Sequence, residues 1–307
     1  MSDAAQVKAD NVKLAVAVIL VTVMALALGD ALIKKISADL VLWQIFVLRG
    51  LVAVPLLAGV LGWRFKGVSF WPRAVAWTAA RSLMLVMMWV AYYAALPHVP
   101  LAAAAAAYYT LPIFITLFSA CFVGERVGPL GWIAVILGFA GVLLILRPAA
   151  DDFNAYALLP LVSAVLYALA MILTRTKCRG EHPLILSLAL NVSFVAVGLA
   201  ATGLMSLEFG MGPEAGKAAS FLSAQWAAMG LREIAAIALL ALIIMVGSVG
   251  AAIAYQSGPS SVVATFDFAY VGFAVVFGFL FFSEIPDWIS LAGTALIVVA
   301  GIMTLRK

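Results

Sequence analysis

Residues 100–125, PLAAAAAAYYTLPIFITLFSACFVGE, and residues 259–284, PSSVVATFDFAYVGFAVVFGFLFFSE, read as one segment written twice. At a fixed offset of 159 residues, Pro100 falls on Pro259, Phe114 on Phe273, Phe118 on Phe277, Phe122 on Phe281, Glu125 on Glu284 and Arg147 on Arg306. Phenylalanines four apart can coincide in any apolar helix, but the bracketing Pro, Glu and Arg at one ungapped spacing mark an internal repeat. The chain is therefore two related halves, and the fold follows from how they are inserted.

The solvent of those halves is set by composition. The 307 residues are 66% hydrophobic and 10% charged, against roughly 45–50% and about 25% in soluble domains. Most of the chain must lie in lipid. A hydrocarbon core about 30 Å thick takes roughly 20 apolar residues per helix. Runs of that kind recur at 14–33, 39–61, 72–96, 101–123, 128–146, 153–174, 183–203, 231–255, 260–282 and 287–305. A β-barrel would show alternating segments of about ten residues instead. The expectation is an all-α membrane protein of ten transmembrane helices, divided as a tail 1–13, a first repeat 14–147 and a second repeat 153–306. Ala25-Leu26-Ala27 imitates a signal-peptide cleavage site, but the length of the first run and the spans behind it favour a retained helix. Residues 204–230, carrying Phe209, Phe221 and Trp226, read as a periplasmic interfacial helix anchored by aromatics.

With the N-terminus in the cytoplasm, inside segments carry Lys8, Lys13, Arg64, Lys66, Arg73, Arg126, Arg175, Lys177, Arg179, Arg306 and Lys307. Outside segments carry only Lys34, Lys35, Arg147, Lys217 and Arg232. The positive-inside rule thus places both termini in the cytoplasm of a bacterial inner membrane. The net charge of +4 and pI of 9.1 belong to these loops and point to no nucleic-acid partner. Five spans separate the repeat copies, so the second is inserted upside down. Inverted repeats are the mark of secondary transporters, whose halves rock about a midplane site.

A charge at mid-bilayer costs ~2.5–3.5 kcal/mol on insertion scales, so each is a functional candidate. Arg49, Arg81 and Asp267 lie about seven to ten residues into their spans, near the midplane, and Asp30 lies nearer the outer end of its own, beside Lys34 and Lys35. Asp267 reads either as the structural ion-pair partner of Arg49 or Arg81, or as a carboxylate that takes a coupling proton or a cation. Two arginines against one Asp leave one guanidinium free to clamp a substrate carboxylate or phosphate. Arg81, Met88 and Tyr92 share one helical face, and Tyr156, Ser163, Tyr167 and Thr174 another. Tyr108 and Tyr109 sit at the depth of Asp267, and Tyr270 follows it by three residues. Each tyrosine serves either helix packing or the wall of a small-molecule site. Glu125-Arg126 and Glu284 read as helix-end caps or loop salt bridges. The small-residue stripe Gly131, Ala134, Gly138 and Gly141 reads as close helix packing.

Arg81-Ser82, Ala91-Tyr92-Tyr93-Ala94-Ala95-Leu96-Pro97, Pro100-Leu101-Ala102, Pro112 and Gly124-Glu125-Arg126 resemble helices three to five of the EamA-type branch of the drug/metabolite transporter superfamily. Thr265-Phe266-Asp267-Phe268-Ala269-Tyr270 with Glu284-Ile285-Pro286 is similar to that family's ninth helix and following loop, and Leu48-Arg49-Gly50 fits one of its subgroups. The resemblance extends from about residue 13 to 306. It implies a ten-helix basket with a central cavity lined mainly by helices 1, 3, 4, 6, 8 and 9, with helices 5 and 10 as peripheral supports. Its members move amino acids, vitamins, nucleotide-like metabolites and other small organic solutes.

Other chemistries lack their residues. Gly216-Lys217 is followed by Ala218, so no phosphate-binding loop of an ATP-driven pump is present. G-x-S-x-G and H-E-x-x-H are missing. Two cysteines, Cys121 and Cys178, and two histidines, His98 and His182, make neither a disulfide framework nor a zinc cluster. No cofactor or metal is expected, and the partners expected are a small-molecule substrate, a coupling proton and membrane lipids. The reading is a secondary transporter rather than an enzyme, with a non-transporting subunit or lipid-translocating partner as the alternative.

Overall fold

The computed structural model describes residues 11–65, 67–123, 129–146, 154–207, 221–222, 225–258, 260–267 and 269–303. Among these there is no strand. The helices are α1 (Val12–Ile36), α2 (Leu42–Arg64), α3 (Val75–Ala95), α4 (Leu101–Tyr108), α5 (Leu111–Phe118), α6 (Pro129–Leu146), α7 (Leu159–Arg175), α8 (Pro183–Leu207), α9 (Leu231–Ser257), α10 (Ser260–Asp267), α11 (Ala269–Phe282) and α12 (Trp288–Met303). Seven helical stretches are long and apolar enough to cross a membrane, and Ala269–Phe282 and Trp288–Ala300 are shorter apolar helices. Glu125-Arg126, Arg147, Arg306 and most of 204–230 lie outside the described residues, as does all but the end of the 1–13 tail.

Lipid explains which residues face out. Leu51, Ile136, Leu204, Val276 and Leu280 are exposed apolar side chains on helix flanks, where water would penalise them and hydrocarbon does not. Trp63, Trp71 and Trp288 stand 80%, 78% and 87% exposed at or beside helix ends, as an aromatic belt at the lipid–water boundary does.

Helices pair closely where one of them lacks a side chain. The principal partners are α1 with α9, α3 with α7, α2 with α8, and α6 with α12. A Cβ on Gly250 would come 2.0 Å from Thr22 Oγ1, and one on Gly247 2.4 Å from Leu26, so α9 crosses α1 on a glycine face. A Cβ on Gly50 would lie 2.4 Å from Val195, and one on Gly198 2.8 Å from Val47, which sets the α2–α8 crossing. Gly138 on α6 packs likewise against Ile113. Hydroxyls add local fastening: Ser163 Oγ donates to the Met88 carbonyl at 3.0 Å, and the Ser187 and Ser248 hydroxyls bond at 2.6 Å.

One single run in the sequence is built as two helices. The run 101–123 comprises α4, a turn at Tyr109-Thr110, α5 and a short π-helical end at Ser119–Val123. Pro112 has no amide proton to give Tyr108, and it disfavours helical backbone at the residue before it. Thr110 Oγ1 caps the break by donating to the Ala107 carbonyl at 2.9 Å. In the run 260–282 the described residues on both sides of position 268 are helical, and Asp267, the counterpart of Tyr108 at the 159-residue offset, ends α10.

The bundle ends are tied by different means. At one, Lys34 Nζ meets Glu284 Oε1 at 2.6 Å and donates to the Val99 carbonyl at 2.8 Å, while Glu284 Oε2 accepts from Leu101 N at 2.8 Å. Nearby, the Gln44 side-chain amide grips the backbone of Ala227 from both sides, at 2.8 and 3.0 Å, and Trp43 Nε1 donates to the Leu222 carbonyl at 2.7 Å. Residues 225–230 are therefore irregular chain pinned to α2 rather than the interfacial helix expected there. At the other end, Ala74 N donates to Glu181 Oε1 at 2.6 Å, and Gln256 Nε2 donates to the carbonyls of Cys178 and Glu181 at 3.0 and 2.8 Å. A cavity of about 570 Å³ opens beside these last contacts, lined by Arg73, Arg179, Glu181, His182 and Gln256 among others.

Candidate functional site

The α4–α5 turn at Tyr109-Thr110 meets Asp267 of α10 inside the bundle, and polar groups collect there. Asp267, 2% exposed, accepts from the hydroxyls of Tyr255 at 2.8 Å, Tyr109 at 3.3 Å and Tyr167 at 3.5 Å. These donors come from α9, the α4–α5 turn and α7, so one carboxylate gathers three distant parts of the chain. Asp30 on α1, 1% exposed, accepts from Tyr270 Oη, which also bonds Tyr92 Oη at 2.9 Å. The other carboxylate oxygen of Asp30, Oδ1, is buried without a hydrogen-bond partner.

Aromatic rings join the two carboxylates. Tyr109 stacks on Tyr270 with centroids 5.0 Å apart, and Tyr108 stands edge-on to Tyr109 and Tyr167 at 5.3 and 5.8 Å. A residual cavity of about 10 Å³, room for about one water, is lined by Leu26, Asp30, Trp89, Tyr92, Tyr108, Tyr109, Tyr167, Asp267 and Tyr270. A second, of about 20 Å³, shares Leu26, Trp89 and Tyr167 with the first and reaches Arg81. In this conformation the chamber is closed.

Seven of the nine residues singled out in the sequence, Asp30, Tyr92, Tyr108, Tyr109, Tyr167, Asp267 and Tyr270, line the first chamber, and Arg81 lines the second. Arg49 lines neither. It is sandwiched in apolar surroundings, its guanidinium 4.2 Å from the Phe194 ring centroid and 4.7 Å from that of Phe46, with Nε and Nη2 unpaired. Of the two readings of Asp267, the ion pair with Arg49 or Arg81 is not formed. Arg81 Nε donates to Thr174 Oγ1 at 2.6 Å and its Nη1 reaches the Leu186 carbonyl at 3.5 Å, while tyrosine hydroxyls surround the carboxylate. Among the described residues the sole salt bridge is Lys34–Glu284.

The face Arg81, Met88 and Tyr92 is buried as spaced, and so are Ser163, Tyr167 and Thr174. Tyr156 leaves that row: it lies in a 3₁₀ turn before α7, 43% exposed, with its ring stacked on His98 at 3.5 Å. Two residues were missed. Tyr255 makes the shortest bond to Asp267, and its one sequence signal was a tyrosine closing an apolar span twelve residues before that carboxylate. Tyr93 stands beside both Asp30 and Arg49, although its neighbour Tyr92 alone fell on the polar face.

Residues 13–147 match the EamA-like transporter family. A 29% identical relative over 279 residues, covering 90% of each chain, is the pseudopaline exporter CntI of Pseudomonas aeruginosa. This chain belongs to the EamA-type branch of the drug/metabolite transporter superfamily. It is also 31% identical over 218 residues to a riboflavin transporter of Rhizobium johnstonii, covering 71% of this chain and 66% of that one. An S-adenosylmethionine uptake transporter of Rickettsia bellii is 23% identical over 226 residues, 72% of this chain and 69% of the relative. A solved crystal structure superposes with a TM-score of 0.64 at 18% identity, covering 96% of this chain and 98% of that one, which supports the fold. As an EamA-type protein the chain is a multi-pass membrane protein whose named relatives carry small molecules.

Proposed function

We propose that the protein is a secondary transporter moving a small organic solute across the bacterial cytoplasmic membrane by alternating access. The observation that carries this is the buried chamber beside the broken α4–α5 span, where Asp267 and Asp30 are held by hydroxyls from both halves of the chain. Unwound backbone at membrane depth, lining a polar cavity, is how secondary transporters build a midplane site.

The ten-crossing, inverted arrangement is part of the same reading. If span n is exchanged with span n + 5, the α1–α9 packing becomes α7–α3, α1–α11 becomes α7–α5, and α2–α8 and α6–α12 map onto themselves. An approximate two-fold axis in the membrane plane predicts this pattern. The repeats are 14–147 and 153–306, both termini are cytoplasmic, and the Lys34–Glu284 end is periplasmic. The cavity of about 570 Å³ then faces the cytoplasm, on the closed side of a shut chamber.

Solute sits among Tyr92, Tyr108, Tyr109, Tyr167 and Tyr270, with Asp267 and Asp30 holding charge or a coupling proton and Arg81 at the chamber's edge. Arg49 braces α2 against α8. The named relatives include an exporter and an uptake system, so the architecture serves either direction. Proteoliposomes loaded with riboflavin or S-adenosylmethionine provide the test, by counterflow of labelled solute. Flux is expected in the wild type and not after Arg81→Ala combined with Asp267→Asn. Undiminished flux in that variant would sink the site assignment.

A further inference from the structure

We infer that the chamber recognises the positively charged head of an organic solute, a quaternary ammonium, sulfonium or protonated amine, with Asp267 as its counter-ion. This rests on the transporter reading and adds the sign of the cargo's charge. Arginine at mid-membrane suggested the opposite sign, a clamp for an anion. The structure engages Arg81 with protein acceptors at the chamber's edge and keeps Arg49 out of the chamber. Arg81 has its Nε bound to Thr174 and points Nη1 at the Leu186 carbonyl, and Arg49 is shut between Phe46 and Phe194, outside the chamber.

What faces the chamber is negative charge and electron-rich rings. Among the described residues no Lys, Arg or His lies within 4.0 Å of either carboxylate. Asp267 has three phenol donors, which orient it but carry no formal charge. Asp30 Oδ1, in a side chain 1% exposed that lines the cavity, has no hydrogen-bond partner; Tyr93 and the Arg49 charge act on this carboxylate without forming an ion pair, which leaves an acceptor for a donor or a cation. An isolated carboxylate in an apolar interior is costly until a cation or proton meets it. The rings supply the rest of a cation's surroundings. Tyr92, Tyr108, Tyr109, Tyr167 and Tyr270 present π faces, and a desolvated cation over such faces gains about 2 kcal/mol or more. An anion there would meet two carboxylates and the same faces, and the donors not bonded to either acid, among them the Tyr108 hydroxyl and Trp89 Nε1, carry no formal charge.

Three probes of one shape separate the charges: choline, its neutral isostere 3,3-dimethylbutan-1-ol, and the anion 3,3-dimethylbutanoate. Purified full-length protein in detergent is treated with dicyclohexylcarbodiimide, which modifies buried carboxyls, and Asp267 labelling is followed by peptide mass spectrometry at matched ionic strength. Choline is expected to protect Asp267 at concentrations at least about tenfold below those needed by the neutral isostere, and the anion not at all. Equal protection by choline and its isostere, protection by the anion, or no protection by choline overturns the cation site. In a second arm, choline raises the melting temperature of wild type and of Glu233→Gln but not of Asp267→Asn, and a rise retained in Asp267→Asn also overturns it. The labelling arm needs no variant to fold. Neither arm needs a gradient, so solute flux alone tests the transporter reading.

Discussion

Lys34 and Glu284, 250 residues apart in sequence, meet at 2.6 Å and close one end of the bundle. Each also holds backbone of the turn between α3 and α4, Lys34 through the Val99 carbonyl and Glu284 through Leu101 N. The pair therefore locks α1, the start of α4 and the end of α11 together. With side chains 15% and 20% exposed, it is screened less than a surface pair. Glu284→Gln keeps an acceptor for Leu101 N and loses the charge. A loss of about 1 kcal/mol, a several-fold shift toward the state open at this end, is expected. In a background without the native cysteines, Val99→Cys should then react faster with a charged maleimide. An unchanged rate would show that the pair does not hold this end shut.

Tyr255→Phe removes the shortest hydrogen bond to Asp267 and leaves the ring's packing in place. Hydrogen bonds to charged groups are worth about 1.5–3 kcal/mol, so solute flux in proteoliposomes should fall by about tenfold or more while yield and monodispersity stay near wild type. Tyr167→Phe, whose bond is 3.5 Å, should cost less. If the two variants lose equally, the hydrogen bonds do not set the carboxylate's function.

The membrane solvent and most of the residues lining the chamber are legible because each has a one-dimensional signature: hydropathy, or a charge where lipid forbids one. Asp30, Arg81 and Asp267 announced themselves by cost alone. Pairing did not, because a buried carboxylate is satisfied by arginine or by hydroxyls, and sequence cannot say which neighbour a helix crossing brings near. Asp267 took Tyr255, Tyr109 and Tyr167, and Arg81 took Thr174. Tyr156 left the polar row because the helix begins three residues after it, and helical spacing holds only inside a helix.

The α1–α9 crossing depends on the glycines of α9. A methyl on Gly250 would meet Thr22 Oγ1 at 2.0 Å, closer than any side-chain shift inside a packed interface readily relieves. Gly250→Ala should lower stability by about 1–3 kcal/mol, read as a drop in melting temperature in detergent. Gly59→Ala on α2, where nothing lies within 4 Å, should be neutral or slightly stabilising. Equal melting temperatures for the two variants would mean that α1 and α9 do not pack this tightly.

Cys178 reports on the other end of the bundle. Its side chain is fully buried beside Thr78 Oγ1 at 3.9 Å, in the loop whose Glu181 carboxylate holds Ala74 N. Burial pushes the thiol above its ordinary range, with the Thr78 contact and the Arg81 charge acting the other way and the Glu181 charge adding to the rise. The thiolate is the reactive form, so in a Cys121→Ser background alkylation should be slow at neutral pH. It should still be climbing, by roughly tenfold per pH unit, where an ordinary cysteine near pH ~8.5 levels off. Glu181→Ala frees the start of α3 and removes a bond worth about 1.5–3 kcal/mol, so labelling should rise about tenfold through easier local opening. Glu181→Gln, which keeps an oxygen acceptor for Ala74 N and removes only the charge that helps hold the thiol protonated, should rise much less than Glu181→Ala. Fast labelling of the parent, levelling off near pH ~8.5 like a free thiol, would mean that this end stands open in the resting protein.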